Sequence, residues 1–113
     1  MTNAQIIFNE SMKLMSDGII KGSGQFGNVL KADGTTERVE LPEDIHTFAR
    51  WKAFGRQVKK GEKAKASILI WKAKQYEETL QDENGNEITE EAVKMFMKKA
   101  FFFTLEQTEP INA

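Results

Sequence analysis

Near the amino end, apolar side chains recur at three- and four-residue steps. Ile7, Phe8, Met12 and Met15, with the small Ser11, share one side of a helical wheel, and this spacing predicts a helix over residues 3–17. Asn3 is placed to cap it and Gly18 to end it. The period changes after residue 19. Short apolar runs, IIKG, FGNVLKA and ERVEL, are separated by Gly-Ser-Gly and Asp-Gly. Asp33-Gly34 is a hairpin signal, so residues 19–41 predict two or three antiparallel strands.

LPED, residues 41–44, breaks the pattern. Thr47 is then placed to cap a short helix over residues 48–54, in which Phe48, Trp51 and Phe54 are spaced to point inward together. Gly55 stops it, Val58 begins an extended stretch, and Lys60-Gly61 predicts a turn. ASILIWKAK, residues 66–74, is β-rich, with Ile68 and Ile70 packed and Trp71 a further candidate for packing. QDENGNE reads as a polar turn. Thr89 is placed to cap a third helix, EEAVKMFMKK, with Val93, Phe96 and Met97 toward the core. AFFFTLE closes the pattern as a strand. The predicted architecture is α+β: a small antiparallel sheet packed with about three short helices, in one domain spanning 1–113.

Composition narrows the class. The 113 residues are 40% hydrophobic and 29% charged, as in ordinary globular proteins. There is no cysteine, hence no disulfide and no thiolate metal site, which suits a reducing cytosol. No apolar run approaches a membrane span, and the amino end lacks the pattern of a signal peptide.

The net charge of −1 hides a segregation. Residues 1–45 carry four basic and seven acidic groups, residues 46–76 nine basic and one acidic, and residues 77–113 three basic and nine acidic. A basic centre between acidic flanks creates a local field that steers partners even when the total is near zero.

GSGQFGNV, residues 22–29, reads G-x-G-x-x-G-x-V, the form of the loop that covers ATP phosphates in protein kinases. Nothing else of that machinery is present. The one histidine, His46, lies in IHTF, and no Asp-Phe-Gly occurs. A dinucleotide fold would continue from this turn into a helix, whereas β-like residues follow, so the segment reads as a glycine-rich turn of the amino-terminal hairpin. Asp82, Asn84 and Asn86 mimic the start of a calcium loop. Glu87 and Val93, however, occupy the places that need glycine and a bidentate glutamate. One histidine and no Gly-x-Ser-x-Gly elbow give no catalytic constellation. The expectation is a protein that is not an enzyme and that needs no cofactor and no metal.

The most informative segment is HTFARWKAFGRQVKKGEKAKASILIWKAK, residues 46–74. A turn carrying Arg56, Lys59, Lys60, Lys63 and Lys65 leads into a strand bearing Trp71. Isolated ammonium groups lose too much hydration to be buried, so these must project. Cations along phosphates and flat rings beneath bases are what a single-stranded nucleic acid requires. The plainer reading is a solvated turn with both tryptophans in the core.

Thr47-Phe48-x-x-Trp51-x-x-x-Gly55-x-x-Val58-x-Lys60-Gly61-Glu62-Lys63 resembles the signature of the N-terminal domain of ArdC-type antirestriction proteins. Those proteins are carried by plasmids, phages and other mobile elements. Phe102 to Glu109, FFTLEQTE, is similar to the family's closing strand, with Thr104 where that strand usually has Asp. The resemblance covers roughly the last two-thirds of the chain. It implies an α+β domain binding single-stranded DNA without strong sequence preference. On this chain Arg56, Lys59, Lys60, Lys63 and Lys65 are the candidates for phosphate contact, and Trp71 or Trp51 for a base platform. A second expectation, of a different class, is a protein-binding inhibitor of a host defence nuclease. Its acidic stretch from Glu77 to Glu91 would imitate DNA phosphates.

Overall fold

The computed structural model describes residues 1–111. Helix α1 (Asn3–Ser16) is followed by a hairpin of β1 (Gly22–Leu30) and β2 (Thr36–Pro42). A two-residue strand β3 (Ile45–His46), helix α2 (Phe48–Ala53) and short β4 (Arg56–Val58) come next. Two long strands, β5 (Ala66–Gln81) and β6 (Glu87–Thr104), then pair antiparallel without interruption. A single 3-10 turn (Leu105–Gln107) leads into β7 (Thr108–Pro110), which pairs with β4. No helix among the described residues is long and apolar enough to cross a membrane.

The cap of α1 falls one residue before the predicted Asn3. Thr2 accepts from the Gln5 amide at 3.2 Å, and the Gln5 side chain accepts from the Thr2 amide at 2.9 Å. This reciprocal box satisfies two amides that the first turn leaves free. The helix lays Ile6, Ile7, Leu14 and Met15 on a core of Ile20, Ile45, Ile68, Ile70, Ala100 and Phe102. Phe102 is the most buried, at 2% exposure. Every core residue of β5 and β6 lies in the half of the pair next to α1. Beyond Trp71, whose backbone Asn3 still bonds, the two strands continue as an arm.

The arm corrects the prediction of three helices. Residues 87–104 form β6, not a helix capped by Thr89, which instead sits opposite Thr79 in the ladder. Asn84-Gly85 closes the turn, with Gly85 at φ 79°, a conformation open to glycine at little steric cost. Asp82 holds the turn by accepting from the amides of Asn84 and Asn86 at 2.9 and 2.8 Å, the local bonding that favours Asp at such positions. Pairing then runs from Gln81↔Glu87 to Ala66↔Phe102. Two of the three predicted core positions do not pack inward, Val93 at 60% and Met97 at 41% exposure, while Phe96 is half-buried. Their spacing in EEAVKMFMKK fits a period of 3.6, but Val93, Met95 and Met97 fit a period of two equally well. The long partner strand decides between them.

The chain consequently has a radius of gyration of 19.9 Å and extents of 64 × 49 × 20 Å. A compact chain of this length would have a radius near 13 Å.

Candidate nucleic-acid interface

The basic turn is built from both of its ends. Helix α2 begins where the Thr47 hydroxyl accepts from the Arg50 amide at 3.3 Å and stops at Gly55, whose φ is 81°. Only Trp51 of its aromatic residues goes inward, at 6% exposure, donating its indole N–H to the Phe103 carbonyl at 2.9 Å. Phe48 and Phe54, predicted to join it, are exposed. Six residues make too few turns for three rings to share one buried stripe.

Strand β4 then pairs Val58 with Thr108, and the Lys59 amide donates to the Gln107 carbonyl at 2.8 Å. The Glu62 amide returns to the Lys59 carbonyl at 3.2 Å, with Gly61 at φ 88°. This is the backbone of a type II turn, which demands glycine at its third place. Gln107, buried at 4% exposure, straps the turn down. Its amide nitrogen donates to the Lys63 carbonyl at 2.6 Å and to the Glu62 carboxylate at 3.2 Å. Its amide oxygen accepts from Thr104 at 3.0 Å. The Lys65 amide donates to Phe102 at 2.9 Å, which delivers the chain into β5.

The side chains of Lys59, Lys60, Lys63 and Lys65 are all exposed. None joins an ion pair among the described residues, where the pairs are Lys13–Glu10, Lys21–Glu106 and Lys31–Glu37. Val58 beside the turn is half-buried, and Ile68 beyond it is buried. Glu106 lies near this cluster. Its carboxyl is held below the usual range first by the hydrogen bond from Lys21, then by that lysine's charge, with smaller help from Lys65 and Lys59.

Arg56 stands apart from the lysines. It is half-buried, and its Nε donates to the Thr108 hydroxyl at 2.7 Å while Nη2 donates to the Thr108 carbonyl at 3.1 Å. It fastens β4 to β7 with two of its five donors. Trp71 is 41% exposed. It lies six residues beyond Lys65, about 20 Å along an extended strand. Alternation puts it on the face of β5 opposite Ile68 and Ile70, beside Leu69 and across from Met97. Its backbone is held at the free edge of β5 by Asn3, which accepts from the Trp71 amide at 2.8 Å and donates to its carbonyl at 3.0 Å.

The hairpin also regroups charges that appear separate along the chain. Lys94 and Lys98 sit among the acids of the carboxyl-terminal third, yet pairing places Lys94 opposite Lys74 and Lys98 opposite Ile70. Centring a hairpin on Asn84-Gly85 would have revealed this from sequence.

The glycine-rich segment is not a turn. It is an irregular part of β1, with a register shift between Gly22 and Phe26, while the hairpin closes at Asp33-Gly34. The Glu40 carboxylate lies over Gly22 and accepts from the Gly24 amide at 3.1 Å. A phosphate there would meet a negative charge. Gly22 and Ser23 line one wall of a cleft of about 1070 Å³, whose other wall carries His46, Arg50, Trp51 and Phe54. The His46 ring meets Trp51 edge-on at 4.8 Å and Phe54 at 5.2 Å. Arg50 lies over Phe54 at 5.0 Å.

A small α+β protein that holds a lysine turn on a two-strand clasp defines the class. The family model of the N-terminal domain of anti-restriction factor ArdC matches residues 28–103, more than half of the chain, and the chain belongs to that family. The matched span contains the whole lysine turn and ends at Phe103, just before the Gln107 strap. Neither the curated proteins nor the solved structures give a match. Membership ties the chain to antirestriction.

Proposed function

We propose that the protein binds single-stranded DNA without sequence preference, as part of antirestriction or DNA protection, and that it acts by binding rather than by catalysis. One observation carries this reading. Lys59, Lys60, Lys63 and Lys65 project from a turn whose backbone is hydrogen-bonded at both ends, and none is neutralised by an ion pair among the described residues. Fixed, unpaired cations meet a polyanion with little loss of side-chain partners. Trp71 supplies an exposed ring farther along β5, and Arg56 holds the turn's base.

The test is a fluorescence-anisotropy titration of labelled single- and double-stranded oligonucleotides at several salt concentrations. Lysine contacts to a single strand predict a log–log salt slope of about −0.7 per contact. Wild-type protein with no affinity for single strands at low salt would overturn the reading.

A second reading has its own observation. The arm's far half places Glu77 opposite Glu91 and Glu78 opposite Glu90, with Asp82, Glu83 and Glu87 near the tip. Carboxylates ranked along a protruding ribbon suit a DNA-mimicking inhibitor of a host nuclease. That reading requires a protein partner and permits no DNA affinity.

A further inference from the structure

The arm has a second basic surface, distinct from the lysine turn. Ile68 and Ile70 mark the face of β5 that turns toward α1, and alternation carries that face outward through Lys72, Lys74 and Tyr76. Their ladder partners share the face: Lys98 opposite Ile70, Phe96 opposite Lys72, Lys94 opposite Lys74, and Ala92 opposite Tyr76. Four lysines and two aromatic rings therefore occupy the four alternate rungs that present this face. No acid interrupts them. The next rung on this face, Glu78 opposite Glu90, closes the basic stretch, and the core packing under α1 closes the other end. The open length is about 20 Å, six residues of extended strand.

Two features separate this face from ordinary solubilising lysines. First, Lys74 and Lys94 are direct cross-strand partners. Like charges in that position oppose pairing, and neither joins an ion pair among the described residues. The repulsion is relieved when an anion lies between them. Second, the rings alternate with the charges. Tyr76 is exposed and Phe96 half-buried, the interleaving of flat faces and cations that a single strand uses.

We infer that this face, with Lys72, Lys74, Lys94 and Lys98 on phosphates and Tyr76 and Phe96 under bases, is a second track for a single nucleic-acid strand. The inference rests on the proposed DNA-binding function and extends it from the turn to the arm. Lys72 is seven residues, about 23 Å, from Lys65 along the strand, so the two surfaces can be disabled separately.

The experiment compares three full-length proteins on one single-stranded oligonucleotide: wild type, a turn variant (Lys59→Ala, Lys60→Ala, Lys63→Ala) and an arm variant (Lys94→Glu). Placing an acid opposite Lys74 replaces a repulsive pair by an attractive one. The arm variant should therefore melt no lower than wild type while binding at least about tenfold more weakly at low salt, with a shallower salt slope. A structural role for Lys94 alone would lower the melting temperature and leave the slope unchanged. Photocrosslinking with a bromodeoxyuridine oligonucleotide should mark Tyr76 or Phe96. Wild-type binding lost in the turn variant but unchanged in the arm variant, or crosslinks absent from the arm, overturns the second track and leaves the function standing. Absence of wild-type binding removes both.

Discussion

The Gln107 side chain donates to the Lys63 carbonyl at 2.6 Å, joining two segments that lie 44 residues apart. One bond thus connects the lysine turn to the strand pair that closes the fold. The Gln107 backbone carbonyl accepts from Lys59 at the opposite end of the same turn. The turn's shape therefore depends on a residue that carries no charge and faces no solvent.

Gln107→Leu keeps most of the volume but strands the Thr104 amide and the Lys63 carbonyl. Leaving buried polar groups unpaired costs about 1–3 kcal/mol. Urea denaturation should show a loss of that size with an unchanged m-value. Affinity for single strands should fall as well, although Gln107 is itself buried away from any ligand.

The two tryptophans should separate cleanly. Trp51→Ala removes a buried ring and its bond to Phe103, and should lose about 3–5 kcal/mol of stability. Trp71→Ala removes a ring that remains 41% exposed, and should cost less stability than Trp51→Ala because it leaves no enclosed cavity. If Trp71 stacks on a base, its replacement should instead weaken binding by about 1–3 kcal/mol. A Trp71 variant that unfolds at room temperature would show that the ring is a core element.

Removing turn charges should change binding without touching the fold. Lys60→Ala should weaken all oligonucleotide sequences alike and reduce the salt slope by no more than about 0.7. Its melting curve should overlay wild type, because the side chain is exposed and unpaired. A sequence-dependent loss would contradict phosphate contact.

His46 should give the fold a pH dependence. Burial is the main force holding its pKa below the ordinary 6.5; Arg50 adds to this and Asp44 opposes it. The unfolded chain therefore takes up this proton at a higher pH than the folded one does. Stability from this group is complete above pH 6.5 and is lost as pH falls from there through the depressed folded value. His46→Phe keeps an aromatic ring against Trp51 and should flatten that window in thermal melts taken pH by pH. A wild-type-minus-variant difference that stays constant across the window would refute the assignment.

Shortening the arm should spare the core. Replacing residues 75–93 with Asn-Gly joins Lys74 to Lys94 by a two-residue hairpin loop and retains Ile68, Ile70, Ala100 and Phe102. Cooperative unfolding with a melting temperature near wild type is expected. The same protein lacks the acidic tip, so any nuclease inhibition that survives the change cannot come from Glu77, Glu78, Glu90 or Glu91.

Local chemistry was legible from sequence where it is decided within a few residues. Thr47 capping a helix, Gly55 ending it and Lys60-Gly61 turning the chain each depend on their own φ angles and nearest hydrogen bonds. The lysine turn was legible for the same reason, since charge must reach water wherever the chain goes. Tertiary pairing decided the rest. EEAVKMFMKK satisfies both a helical and a strand period, and only sixteen rungs of pairing with β5 select the strand. That selection turned Val93 and Met97 outward and brought Lys94 to Lys74 across the ribbon. Burial of Gln107 beneath the turn was equally invisible, because a polar residue goes inside only where distant backbone groups wait to bond it. Sequence determined which groups must be wet and where the chain bends; the long-range ladder determined which charges stand together, because cross-strand neighbours are set by register and not by distance along the chain.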